Sequence, residues 1–187
     1  MRYNVPIFLT WLRVAMIPLV VGIFYVPIEP QWQNSLATIM FTVAAITDCF
    51  DGYLARRWEQ TTKFGAFLDP VADKLIVAGA LLVLVELGRV HAILAFIIIG
   101  REIAVSALRE WMASVGQSQS VAVSRVGKFK TICQMVSIPM LLHHDTFLYV
   151  FNVQFIGSWL LIIAAVLTIW SMLYYLSIAL PLLRGRL

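Results

Sequence analysis

Six mostly apolar runs, separated by short polar breaks, account for nearly the whole chain. A helix needs about 20 apolar residues to cross about 30 Å of hydrocarbon. The first run covers residues 5–26 and stops at Pro27–Ile28–Glu29–Pro30, a break by its prolines. The second covers residues 35–53 and extends to Arg56–Arg57. The third covers residues 70–88, with Pro70 in a first turn, where its missing N–H is not needed. The fourth covers residues 91–112: its first half, AILAFIIIG, is wholly apolar, and its second half carries Arg101, Glu102, Arg109 and Glu110. The polar run GQSQS precedes a fifth run, residues 121–142; HHDT precedes a sixth, residues 153–179, and PLLRGRL follows it. The expectation is an all-α integral membrane protein with six transmembrane helices, a single domain over residues 1–187. No internal repeat or low-complexity segment interrupts it.

Composition agrees with the pattern. The chain is 61% hydrophobic and 13% charged, with a mean hydropathy of +0.87, against about 25% charged residues in a soluble domain. The first run lacks an Ala-x-Ala-like cleavage site and more spans follow it, so no cleavable signal is expected. With six spans, thirteen of the fourteen Lys and Arg residues fall on the side of the two termini, and only Arg89 falls on the other. Positive charge marks the cytoplasmic face, so both termini are expected there. The net charge of +4 is thereby assigned to membrane topology, not to nucleic-acid binding. Trp32, Trp58, Trp111 and Trp159 lie near expected interfaces, as aromatic anchors do. Cys49 and Cys133 lack metal-site spacing and read as small apolar residues. His91, His143 and His144 sit near loop ends and read as surface residues.

Candidate chemistry concentrates in DCFDGYLARRWEQTTKFGAFLDPVAD, residues 48–73. Asp48, Asp51, Gly52 and Ala55 share one helical face; Gly65, Asp69 and Asp73 share a face of a second helix. A short polar connection between them suggests antiparallel neighbours, with the two pairs of carboxylates facing across a groove. Four carboxylates in one site repel unless neutralised. Oxygen-only ligands suit a hard divalent ion, Mg²⁺ or Mn²⁺. Arg56 adds planar donors suited to phosphate. Glycines in helix interiors make sense where a ligand or a helix comes close. Together these residues point to phosphoryl-transfer chemistry.

Asp48, Asp51, Gly52, Ala55, Arg56, Gly65, Asp69 and Asp73 match DxxDGxxARx₈GxxxDxxxD at every fixed position. On these residues the chain resembles the CDP-alcohol phosphotransferase family. NVPIFLTWLRV, GAFLDPVADKL, REIAVSALREWMA and SVAVSRVGKFKT extend the resemblance to its bacterial members that use glycerol 3-phosphate. The resemblance implies a six-helix fold around a cytoplasm-facing polar cavity, a homodimer, and a bacterial inner-membrane location. It implies transfer of the phosphatidyl group of CDP-diacylglycerol to glycerol 3-phosphate, giving phosphatidylglycerol phosphate and CMP. By motif position, Asp48, Asp51 and Asp69 are metal ligands for one or two Mg²⁺ or Mn²⁺ ions. Asp73 is the general base and a further candidate ligand. Gly52 and Arg56 hold the CDP-lipid, with Thr62 as an additional contact and Gly65 either a contact or a packing glycine. Asn4, Thr10 and Arg13 match the family's opening motif, and by that match Thr10 and Arg13 join the expected CDP-lipid contacts. Arg13, inside an apolar helix, needs an anionic partner: a nucleotide phosphate or a motif carboxylate, unless it snorkels to the headgroups.

A dianionic acceptor calls for converging cations. Arg101, Arg109, Lys128 and Lys130 are the candidates; Lys128 and Lys130 point to different faces, so one of them enters the pocket. The signature alone leaves open the same transfer to serine, an inositol phosphate or phosphatidylglycerol. Intramembrane carboxylates also fit a cation transporter, although polar groups here crowd into one half of the membrane.

Overall fold

The computed structural model describes the backbone of residues 5–58, 63–114, 125–144 and 152–184, and the side chains of residues 10–48, 65, 67–114, 127, 129–144 and 152–177. Among the described residues there are six α-helices, one 3₁₀ turn and no strand. The helices are α1 (Val5–Gly22), α2 (Pro30–Trp58), α3 (Lys63–Glu86), α4 (Ala92–Ser114), α5 (Arg125–His143) and α6 (Val153–Arg184).

Their ends have local causes. Pro30 opens α2 at the position where no N–H is needed, and Glu29 O accepts from the Trp32 and Gln33 amides. The break before it is therefore shorter than the two prolines suggest. Asn152 Oδ1 accepts the Phe155 N–H at 3.0 Å and caps α6. Exposed His91 does the same for α4, its Nδ1 accepting from Ile93. At the end of α3, Gly88 takes the left-handed conformation, φ 68°. Gly88 N–H then reaches Val85 O and Arg89 N–H reaches Leu84 O, closing a Schellman cap. Helix α3 begins at Lys63, not near Pro70 as the apolar run suggests; Pro70 lies inside it.

Packing between successive pairs closes a ring in the order α1, α2, α5, α6, α4, α3 and back to α1. Inside it, α3 also touches α5. The core is lined with small residues: Ala37, Ala44, Ala80, Ala95 and Ala165 are buried among Val20, Phe41, Leu81, Leu84, Ile98 and Leu161. Small residues let helix backbones approach closely, the usual contact where lipid removes the hydrophobic drive between helices. Gly79 is such a site, since a Cβ there would meet Val21 at 3.1 Å. At Gly157 a Cβ would meet Leu141 at 3.1 Å, so α6 lies tight on α5.

Large apolar side chains point outward from every helix, among them Trp11, Leu19, Ile46, Leu82, Phe96, Ile132 and Trp170. So much exposed apolar surface is abnormal in water and natural against lipid. By length and apolarity alone, one described segment qualifies as a membrane span, Val153–Ser177. The other helices carry polar or charged residues toward one end, and that end builds the site.

Candidate active site

Asp48 of α2 is brought to Asp69 and Asp73 of α3, but not by direct pairing of the two helices. Among the described residues α1 packs on both, while α2 and α3 share no comparable interface. The expected antiparallel pair is thus parted by the N-terminal helix. Arg13 fills the gap: its side chain is 1% exposed, with Nη2 3.0 Å from Asp48 Oδ1 and Nη1 2.5 Å from Asp73 Oδ1. One turn earlier on the same face, Thr10 Oγ1 donates to Asp69 Oδ1 at 2.5 Å. Two residues of α1 therefore hold three motif carboxylates from two other helices. Of the two anionic partners open to Arg13, the structure shows the carboxylates.

The spacing makes this possible. Thr10 and Arg13 lie three apart on α1, and Asp69 and Asp73 lie four apart on α3, so each pair shares one face. A cation inside an apolar helix is costly without an anion, and Asp48 and Asp73 each carry one charge. Asp51, Gly52 and Arg56 continue α2 toward Trp58, but their side chains lie outside the described residues, as does Thr62 entirely. Gly65 is buried in the first turn of α3.

Three carboxylates collected at one end of the bundle supply hard oxygen donors, and that donor chemistry fits Mg²⁺ or Mn²⁺. Among the described residues no three acidic, His or Cys side chains form a metal-holding group by themselves. Asp51, the fourth motif carboxylate, lies outside that set.

The candidate acceptor cations are also brought together. Lys130, 2% exposed, donates to Glu102 Oε1. Arg101 is buried as well, with Nη2 2.8 Å from Ser171 Oγ and Nη1 3.6 Å from the same Glu102 oxygen. Arg109 Nη2 lies 3.1 Å from Tyr175 Oη. Both guanidiniums also sit over the Tyr175 ring, at 5.9 Å and 5.3 Å from its centroid. Among the described residues Nε of Arg101 and Nε of Arg109 make no hydrogen bond. Lys130 and Arg101 share the carboxylate of Glu102, and Arg109 joins Arg101 at Tyr175. The Lys128 side chain lies outside the described residues; Lys130 points inward.

Sequence reasoning missed the polar side of α6. Thr168, Ser171 and Tyr175 are all buried. Their spacing of three and four in an otherwise apolar helix was the available signal. From the sequence, Glu102, directly after Arg101, is a candidate partner for other cations; the structure makes it the shared partner of Lys130 and Arg101.

The sequence model of the CDP-alcohol phosphatidyltransferase family matches residues 3–170. The chain belongs to this family. The family is membrane-embedded, in keeping with the outward apolar side chains. The chain is also similar to named relatives over nearly its full length. It is 50% identical over 183 residues to the CDP-diacylglycerol–glycerol-3-phosphate 3-phosphatidyltransferase of Escherichia coli (strain K12), covering 96% of each chain. Proteins of the same name from Shigella flexneri serotype 5b (strain 8401) and Shigella boydii serotype 4 (strain Sb227) match at the same identity and coverage.

Proposed function

We infer that this chain transfers the phosphatidyl group of CDP-diacylglycerol to glycerol 3-phosphate, releasing CMP and phosphatidylglycerol phosphate. The observation that carries the reading is the 50% identity over 96% of the chain to enzymes of that name, with all eight signature residues in place. The gathering of Arg101, Arg109 and Lys130 in one region favours a phosphorylated acceptor over serine.

The acceptor hydroxyl attacks the phosphorus that carries diacylglycerol. A new P–O bond forms, the phosphoanhydride bond to CMP breaks, and the hydroxyl proton passes to Asp73. Asp48, Asp51 and Asp69 are the residues to hold a divalent ion, with Asp73 beside them. Such an ion, when bound, supplies charge neutralisation at the diphosphate and makes CMP a better leaving group. Arg13 and Thr10 fix the carboxylates in register, so that the base and the ligand set hold one arrangement. Gly52, Arg56, Thr62 and Gly65 are proposed to receive the CDP end of the lipid, together with Thr10 and Arg13 beside the aspartates. The acceptor phosphate is assigned to Arg101, Arg109 and Lys130, with Lys128 near them in sequence.

The topology proposed is six spans, with both termini and the site facing the cytoplasm of a bacterial inner membrane. Its support is the charge bias of thirteen cations to one; the homodimer is proposed on the family resemblance alone. The fold is consistent with it: Arg89 sits where α3 ends and α5 ends, while Arg13 and its aspartates occupy the opposite end of α3.

The reaction is tested by giving purified protein in detergent CDP-diacylglycerol and Mg²⁺, with glycerol 3-phosphate, serine, inositol phosphate or phosphatidylglycerol as sole acceptor. CMP release with glycerol 3-phosphate alone, abolished by a chelator, is the expected result. Release with another alcohol instead would overturn the acceptor assignment. No release with any would reopen ion transport.

A further inference from the structure

A cavity of about 80 Å³ lies between α3, α4 and α5, with Asp73, Glu102, Thr131 and Gln134 among its walls. One water needs only about 10–15 Å³ of such space, so a short polyol fits where a larger headgroup would crowd. Asp73 and Lys74 stand on the α3 wall and Glu102 on the α4 wall, with Lys130 and Arg101 against the Glu102 carboxylate. The cavity therefore sets the base and a second carboxylate on different walls, with a cation beside each.

Glycerol 3-phosphate offers a matching set: two hydroxyls for the two carboxylates and a phosphate for the cations around them. Glu102 is 24% exposed, whereas Lys130 is nearly sealed off, so the carboxylate side of the ion pair is the one that a ligand can reach. A carboxylate is an acceptor only, with lone pairs beyond those one ammonium engages. Its contact with Lys130 fixes where the remaining lone pairs point.

We propose that Glu102 is a specificity-determining residue of the acceptor site: its carboxylate, anchored by Lys130, accepts a hydrogen bond from the non-reacting hydroxyl of the acceptor while Asp73 serves the reacting one. The proposal rests on the glycerol 3-phosphate reading and deepens it. It makes the protein select a phosphorylated vicinal diol over a phosphorylated simple alcohol. A site built to bond a hydroxyl leaves a buried polar group unpaired when the analogue lacks it, which is the stronger form of discrimination.

The test compares glycerol 3-phosphate with 3-hydroxypropyl phosphate, the same chain without the middle hydroxyl, by kcat/KM for CMP release. Wild-type protein is expected to favour glycerol 3-phosphate by at least about tenfold, the scale of one hydrogen bond to a charged group. E102A is expected to lose most of that preference through the glycerol 3-phosphate arm; E102Q, which keeps the shape, is expected to weaken it in part. A wild-type preference near unity overturns the proposal without any variant. Equal slowing of both acceptors in E102A and E102Q also overturns it, leaving Glu102 as no more than the partner of Lys130. Absence of wild-type turnover with glycerol 3-phosphate, alongside turnover with a different alcohol, would instead defeat the proposed function itself.

Discussion

Arg13 and Asp73 stand sixty residues apart in sequence and 2.5 Å apart in the fold, with the same guanidinium 3.0 Å from Asp48. One N-terminal side chain thus joins the two halves of the aspartate motif. Replacing it with Gln keeps some hydrogen bonding and removes the charge. Loss of one partner of a fully buried pair costs about 3–5 kcal/mol. Asp48 and Asp73 are each more than a third exposed as side chains, 39% and 34%, so the expected cost is lower, about 1–3 kcal/mol. Thermal unfolding of R13Q in detergent with a chelator should show this loss, and Mg²⁺ should recover part of it. A melting curve identical to wild type in both conditions would mean that the bridge contributes no stability.

Asp73 is the second point of leverage. Asn at this position keeps the shape and the Oδ1 acceptor for Arg13, but cannot take a proton. D73N should lose about 10²–10⁴-fold in kcat, the usual share of a general base, with the KM for CDP-diacylglycerol within a few-fold. Titration of Mn²⁺ by electron spin resonance should show binding retained. If metal binding falls in step with turnover, Asp73 is chiefly a ligand.

The motif, and the number and order of the helices, were legible because each rests on local spacing. Asp48, Asp69 and Asp73 could be placed on helix faces from periodicity alone, and Arg13 was recognisable as a buried cation in need of an anion. What could not be read was which helix would bring that cation to its anions. Periodicity fixes the faces of a helix, not its neighbours, so α2 and α3 looked adjacent because they are consecutive. Insertion of α1 between them is a tertiary outcome, helped by Gly79 against Val21. The early start of α3 was legible from the shared face of Gly65, Asp69 and Asp73; only the span estimate, which opened at Pro70, fell short of it. Helical backbone continues past the apolar boundary where polar side chains face a site instead of lipid. The Ser171 and Tyr175 contacts were hidden for a different reason: a few polar residues in a long apolar helix carry little weight until the facing helix is known.

Arg109 contacts Tyr175 in two ways, through the hydroxyl at 3.1 Å and over the ring at 5.3 Å. R109A removes a charge from the acceptor end and leaves the aspartates untouched. The KM for glycerol 3-phosphate should rise about tenfold or more, on the scale of a charge-assisted hydrogen bond, while that for CDP-diacylglycerol stays within about twofold. Y175F keeps the ring under both arginines and removes only the hydroxyl, so its effect should be smaller. An acceptor KM that does not move in R109A removes Arg109 from the acceptor site.

Arg89 offers the opposite separation, stability without chemistry. Its guanidinium donates to Leu141 O at 3.2 Å and Leu142 O at 2.7 Å, carbonyls in the last turn of α5, and to Asn34 Oδ1 at 2.7 Å. Those carbonyls have no partner within their own helix, and the Asn34 side chain is nearly buried. The Schellman cap at Gly88 is what aims Arg89 at them. R89A should therefore destabilise the fold by about 2–4 kcal/mol, since several charge-assisted bonds go at once and a buried amide oxygen loses its donor. R89K should recover only part of this, because an ammonium cannot span three acceptors as a planar fork does. Below the melting point, both KM values should stay at wild-type levels, since the contact lies at the far end of the bundle from Asp73. A changed acceptor KM in R89A with an unchanged melting temperature would show that this end of the bundle communicates with the site, contrary to the separation argued here.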